Sequence, residues 1–370
     1  DKNTQNDYSI IMIDIKKQPR EDYNLGFILQ YENVAWFDEE CGEVRILDRR
    51  IYPEKKEFCI CKTYEEVAKA IADMVTQSGG PFSAAGMGMA LAAYQGKNLS
   101  KTAYLEFMKE AAYILSHARP TTSKAMELLT AESLNLFERL IQSGASSNEI
   151  ITSLKQNAIE QNNVRYKKNT AAGSFFADLV PDGSSILTQC FGETTVGGYL
   201  RRFKETDKNI KVFCAETRPY FQGARLTASL AYDMGFDTTV VTDNMPALLM
   251  SEKKIDFCVS ASDVISLDGS IINKIGTLQI AIAASYFGIP YYAIGFPDKN
   301  YVSAKEVKIE YRNPEEALYA MGKRTAILPD DCNLENKSGS ISGLYPAFDI
   351  TPYELCTGII TDEGFFQPGA

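Results

Sequence analysis

Apolar positions along this chain follow three successive rhythms. Up to about residue 60 they form short strand-like runs, Phe27-Ile28-Leu29 and Val44-Arg45-Ile46-Leu47, parted by an acidic turn at 38–42. From Thr63 the period lengthens: Val67, Ile71, Met74 and Val75 share one helical face, with Thr63 and Glu66 spaced for a capping box. The Gly79-Gly80-Pro81 breaker is expected to stop that helix. Further helical patterns cover 84–95, 102–116, 122–129, 131–142 and 148 to about 162. After the polar stretch 161–170, strand-like runs (185–188, 212–214, 239–242, 257–260, 291–294) alternate with helical ones (194–205, 222–234, 245–251, 277–287). Repeated β-then-α reads as a mostly parallel sheet with helices on both faces. The predicted fold is α/β: a small β portion plus helical domain over 1–162, then a Rossmann-like sheet domain over 163–370.

In such sheets ligands sit beyond the carboxyl ends of the strands. That rule nominates Gln189-Cys190, Glu216-Thr217-Arg218, Asp243-Asn244 and Asp263. Cys190 leaves one strand and precedes a turn into a helix, whose dipole favours the thiolate. A buried structural cysteine is the alternative, and Cys214 and Cys258, inside strand patterns, read as core. Asp263 directly follows a strand and becomes a general acid if desolvation raises its pKa. A turn or cap aspartate is the alternative there. Asn273-Lys274-Ile275-Gly276-Thr277 opens a helical run, where backbone N–H groups, an amide and a lysine suit a phosphate. Arg119 stands before another helical run, and Arg218, Gln222 and Arg225 crowd one strand end. There is no Walker loop and no complete G-x-G-x-x-G, so no nucleotide site is predicted. His117 is the only histidine, and nothing else supports a Ser-His or Cys-His hydrolase.

Composition narrows the classes. With 38 basic against 48 acidic residues the net charge is −10, the wrong sign for a nucleic-acid partner. No apolar run approaches the ~18–20 residues of a membrane span, and residues 1–7 are polar, without a secretory pattern. Eight cysteines in such a chain read as thiols, and a cytoplasmic protein is expected. Cys59 and Cys61 form a C-x-C pair, but with one histidine and no C-x-x-C neither a metal nor another cofactor is expected.

Several segments resemble one family in order along the chain. They are Ile186-Leu187-Thr188-Gln189-Cys190, Glu216-Thr217-Arg218-Pro219, Gln222-Gly223-Ala224-Arg225-Leu226-Thr227, Asn273-Lys274-Ile275-Gly276-Thr277 and Pro346-Ala347-Phe348-Asp349-Ile350-Thr351-Pro352. They look like the S-methyl-5-thioribose-1-phosphate isomerases, relatives of the alpha, beta and delta subunits of translation initiation factor 2B. The resemblance runs from Val44 to Gly364. It implies Cys190 and Asp263 as a catalytic pair, and a sugar-phosphate cradle of Ser78, Gly79, Gly80, Arg119, Gln222, Asn273 and Lys274. It implies an aldose-1-phosphate to ketose-1-phosphate isomerase acting on a 5-substituted pentose, and a homodimer formed mainly by the second domain. A non-catalytic sugar-phosphate or nucleotide sensor is the alternative. Within enzymes, 5-deoxyribose-1-phosphate or ribose-1,5-bisphosphate are the alternative substrates. The chain departs from the family where Ser78-Gly79-Gly80-Pro81 replaces Arg-Gly-Ala-Pro and Thr188-Gln189-Cys190-Phe191 replaces Thr-His-Cys-Asn. It departs again where Ala261-Ser262-Asp263-Val264 replaces Gly-Ala-Asp-Arg.

Overall fold

A computed structural model describes residues 20–119, 123–320, 323–324 and 341–368. The polar start at 1–7 and Pro120, Thr121 and Thr122 lie outside the described residues. Phe27-Ile28-Leu29 is not a strand but a 3-10 turn leading into the single turn α1 (Tyr31–Val34). A run of three apolar residues carries no period, so its burial alone misled the reading. The antiparallel sheet is instead β1 (Ala35–Asp38), β2 (Glu43–Leu47) and β3 (Phe58–Cys61), in that order. Helix α2 (Tyr64–Ala72) starts as predicted, with Thr63 Oγ1 accepting from the Glu66 N–H, a cap of typically ~1 kcal/mol. The Glu66 carboxylate turns to the Lys62 N–H instead of closing the box.

The glycine-proline breaker does not end α2, which stops at Ala72; it opens α3 (Gly80–Gly96). A proline in a first turn has no needed N–H to lose. Helix α3 is buried on nearly every side, wrapped by α2, by α4 (Lys101–Ser116), by α5 (Ser123–Ser143) and by the small sheet. Helix α5 is one helix, not two: the Thr130 and Ser133 hydroxyls donate to carbonyls of their own helix, so the polar step does not break it. Helix α6 (Ser147–Leu179) runs without a break through residues 162/163. Its polar residues are spent on tertiary bonds, Asn162 accepting from Ser83 Oγ at 2.8 Å and Asn163 from the Tyr31 hydroxyl at 2.7 Å.

The second half follows the predicted alternation closely. It comprises β4 (Ser185–Gln189), α7 (Thr194–Glu205), β5 (Lys211–Ala215), α8 (Ala228–Asp233), β6 (Asp237–Val241), α9 (Pro246–Ser251) and β7 (Phe257–Ala261). Then come β8 (Val264–Ile265), β9 (Ile271–Lys274), α10 (Thr277–Phe287) and β10 (Tyr291–Ile294). The hairpin β11 (Tyr319–Ala320) and β12 (Lys323–Arg324) precedes β13 (Phe348–Thr351), β14 (Gly358–Thr361) and β15 (Gly364–Phe366). The main sheet has the order β15-β14-β10-β7-β4-β5-β6, parallel except for the edge pair β14/β15. Gly173 lets α6 reach α7 at backbone distance, since a Cβ there would lie 2.5 Å from the Thr195 carbonyl oxygen.

Candidate active site

The chain winds from β4 outward through β5 to β6, then returns to place β7 on the other side of β4. Neighbouring strands that start in opposite directions leave a crevice beyond their carboxyl ends, where doubly wound sheets bind ligands. Cys190 follows β4 and Asp263 follows β7 by two residues, so both stand at that switch point. The crevice is a cavity of about 840 Å³, within the usual range for small-molecule sites. The small antiparallel sheet β13-β9-β8 closes over it, with Phe348 paired opposite Lys274 and the Asp263 N–H bonded to the Ile272 carbonyl at 3.1 Å.

Cys190 has φ +57°, a left-handed conformation that costs a non-glycine residue about 1–3 kcal/mol and must be held from outside. Two threonines hold it. The Cys190 N–H donates to Thr217 Oγ1 at 2.8 Å, and Thr227 Oγ1 donates to the Cys190 carbonyl. Thr217 is braced by the Asp243 carboxylate, which accepts from the N–H groups of Thr217 (2.8 Å) and Arg218 (2.7 Å). Glu216, Arg218, Asp243 and Asn244, nominated by position, therefore stand outside the cavity lining, and Asp243 acts through this brace.

Burial pushes the Cys190 thiol up to about 11 despite the Lys274 charge, which acts the other way. The expected thiolate is therefore corrected: at neutral pH the sulfur keeps its proton, because desolvation outweighs the nearby lysine and helix start. The same burial raises the Asp263 carboxyl, against the pull of Lys274, Arg312 and Arg119. Its side chain is exposed to solvent within the cavity, with protein crowded around it. Lys274 in turn is lowered by burial. An anion that neutralised these cations would raise both Cys190 and Asp263 further.

Of the predicted cradle, Ser78, Gly79, Arg119, Gln222, Asn273 and Lys274 all line this one cavity. Gly80 does not; it lies in the first turn of α3, against Thr76 and the buried Arg49. Lys274 is buried with Nζ 4.9 Å from the centre of the Phe348 ring, and Asn273 Nδ2 donates to Thr277 Oγ1 at 3.0 Å. Two of the backbone amides expected to bind an anion at the start of α10 are already taken. The Asp349 carboxylate accepts from Gly276 N–H at 2.7 Å and Leu278 N–H at 3.2 Å, leaving the side chains of Asn273 and Lys274 for that task. Gln189 stands behind them, donating to the Lys274 carbonyl at 3.0 Å.

Sequence reasoning missed Arg165, Glu193, Lys308, Glu310 and Arg312, which also line the cavity. Arg312 is held by Glu310 at 2.9 Å and lies between the Tyr220 and Phe348 rings, 5.7 Å from each centre. Glu193 caps α7 with φ +47° and joins two guanidiniums, Arg49 at 3.0 Å and Arg165 at 2.7 Å. Periodicity carries no signal for such partners, which meet only across elements. Five cations (Arg119, Arg165, Lys274, Lys308, Arg312) thus face the cavity in a chain of net charge −10. Against them stand Glu193, Asp298, Glu310 and Asp263, whose raised pKa favours the uncharged form. Buried polar atoms without partners gather at the same wall: Arg165 Nε and Nη2, Gln222 Oε1, Gln77 Oε1 and Ser262 Oγ. These unsatisfied buried groups, together with the lining cations, suit a polar, anionic ligand. Among the described residues no cluster of three or more His, Cys, Asp or Glu is placed to hold a metal ion, and no helix is long and apolar enough to cross a membrane.

Comparison with known proteins gives a consistent picture. Residues 82–368 match the family model described as the initiation factor 2 subunit family. A methylthioribose-1-phosphate isomerase of Pseudothermotoga lettingae is 33% identical over 335 residues, 87% of this chain and 92% of the relative. The crystal structure of the 5-methylthioribose 1-phosphate isomerase of Pyrococcus horikoshii superposes with TM-score 0.77 at 29% identity, over 96% of each chain. That of translation initiation factor eIF-2B, subunit delta, from A. fulgidus superposes with TM-score 0.76, also at 29% identity, over 91% of this chain and 96% of the other.

Proposed function

The chain belongs to the initiation factor 2 subunit family, the superfamily that joins the methylthioribose-1-phosphate isomerases to the alpha, beta and delta subunits of initiation factor 2B, and on that premise we propose that it is an isomerase. It converts an aldose 1-phosphate, a 5-substituted pentose such as S-methyl-5-thioribose 1-phosphate, to the ketose 1-phosphate. The observation that carries this reading is the placement of Cys190 and Asp263 at the switch point of one cation-lined cavity. The anomeric oxygen of such a sugar carries the phosphate, so the ring cannot open to a free aldehyde. In its protonated form, which burial favours, Asp263 donates its proton to the ring oxygen as the C1–O bond breaks. The hydrogen at C2 then moves to C1 beside Cys190, and the proton lost from the C2 hydroxyl restores Asp263. Lys274, Arg119, Gln222 and Asn273 hold the phosphate. The test is ketose formation by the purified protein across pentose 1-phosphates that differ at C5.

The near-equal likeness to the delta subunit structure keeps a second reading, a non-catalytic sugar-phosphate sensor. Binding without ketose formation across the whole panel would select it. The isomerase reading also fixes a pH dependence. Asp263 acts in its protonated form, so kcat/KM is full below its raised pKa and falls as pH rises through it. The descending limb is expected at a higher pH than an ordinary carboxylate would give, and a limb at the ordinary position would remove Asp263 as the acid.

A homodimer belongs to the same proposal. Leu248 on α9 and Ile282 and Tyr286 on α10 are exposed apolar side chains on adjoining helices, and single chains seldom leave such patches uncovered. Phe348 is not part of this patch; it lines the cavity beside Lys274. Sedimentation is expected to show a dimer that Tyr286→Glu dissociates; a concentration-independent monomer would remove it.

A further inference from the structure

We propose that Arg165 is the specificity-determining cation of this site, supplying from helix α6 the charge that recognises a phosphate monoester dianion at the edge formed by Ser78 and Gly79. The proposal deepens the isomerase reading and rests on it for the identity of the ligand. Three observations lead there. First, the guanidinium occupies the room that a longer side chain at that edge would need: a Cβ on Gly79 would lie 2.0 Å from Arg165 Nη1. Neither Ser78, which donates to the Phe191 carbonyl at 3.0 Å, nor Gly79 carries a charge of its own.

Second, the guanidinium is fixed but not saturated. Nη1 is bound to Glu193 at 2.7 Å, and the ring centres of Tyr166 and Phe82 lie 5.0 and 5.5 Å away, while Nε and Nη2 have no hydrogen-bond partner. Third, the local charge does not cancel. Glu193 is shared between Arg165 and the fully buried Arg49, and these two guanidiniums outweigh burial to keep its carboxyl below the usual range. Two cations against one carboxylate leave one positive charge in a water-poor wall, where an incoming anion is bound more strongly than at the surface. Glu193 thereby positions Arg165 and also tempers it.

The opposite signs of these two roles give the test. Binding of inorganic phosphate and of ribose 1-phosphate is measured by calorimetry, independently of turnover, with the fold of each variant checked by circular dichroism. Arg165→Met is expected to weaken both ligands at least tenfold, and Arg165→Lys, which keeps the charge, to recover most of that loss. Glu193→Gln leaves both guanidiniums unopposed and is expected to tighten phosphate several-fold, a gain that a merely structural role would not produce. Native affinity in folded Arg165→Met would overturn the proposal. If that variant does not fold, unchanged or weaker binding by Glu193→Gln overturns it instead. Phosphate binding that follows this pattern without ketose formation by the native protein would leave Arg165 in place and remove the isomerase reading.

Discussion

Asp263→Asn is expected to lower turnover on the true substrate by roughly 10²–10⁴-fold with the fold intact, the range for losing a general acid. The amide keeps the shape and the room at the end of β7 but cannot give up a proton to the ring oxygen. Asparagine also removes a group whose ionisation is disfavoured by burial, so the variant is expected to be at least as stable as the native chain above the carboxylate range. The sign follows from linkage: a carboxyl raised on folding contributes stability below its unfolded pKa and loses it as pH rises through the folded one. Lost turnover with retained stability is thus the expected pair of readouts, and near-native turnover would remove Asp263 from the reaction. Cys190→Ser belongs with it, since the hydroxyl is smaller and far harder to ionise. With its pKa pushed up to about 11, the Cys190 thiol is expected to react slowly with iodoacetamide at neutral pH and faster as pH rises. It should still label ahead of Cys214, which is fully buried in β5 with its thiol pushed up to about 12, and substrate should protect it.

The second half of the fold was legible because its signals are local. Each strand of the parallel sheet is a short apolar run, and each connecting helix shows its own period; the ranges of α7, α10 and β10 coincide with the pattern. From that alternation alone, the strand-end rule placed Cys190 and Asp263 at an edge. What local pattern does not hold is which strands become neighbours. The return of the chain to set β7 beside β4, which makes that edge a crevice, is a tertiary event. Glu193, Arg165 and Arg312 were invisible for a related reason: each is an ordinary charged residue until the fold joins Glu193 to Arg165, 28 residues away, or brings the Tyr220 and Phe348 rings to Arg312. The start of α10 failed differently. Helix-start amides suit an anion, but Asp349, 73 residues from Gly276, reaches two of them first.

Because Asp349 takes those amides, the proposed function leaves Lys274 with more of the phosphate to hold, and its removal is expected to be costly. Lys274→Met keeps the length of the side chain and its contact with the Phe348 ring, where a thioether packs well. It deletes a hydrogen bond to a charged group, about 1.5–3 kcal/mol, which corresponds to roughly 10–150-fold in KM. A role confined to binding the phosphate would stop there. Lys274 also acts on Cys190 and Asp263, since its charge opposes the burial that raises both. Without it the iodoacetamide profile of Cys190 and the descending limb of kcat/KM should both move to higher pH, while the remaining cations Arg312 and Arg119 limit the shift of Asp263. A raised KM together with both displacements is the expected result. An unchanged KM with unmoved profiles would show that the phosphate sits elsewhere in the cavity and that Lys274 serves only to fill its wall.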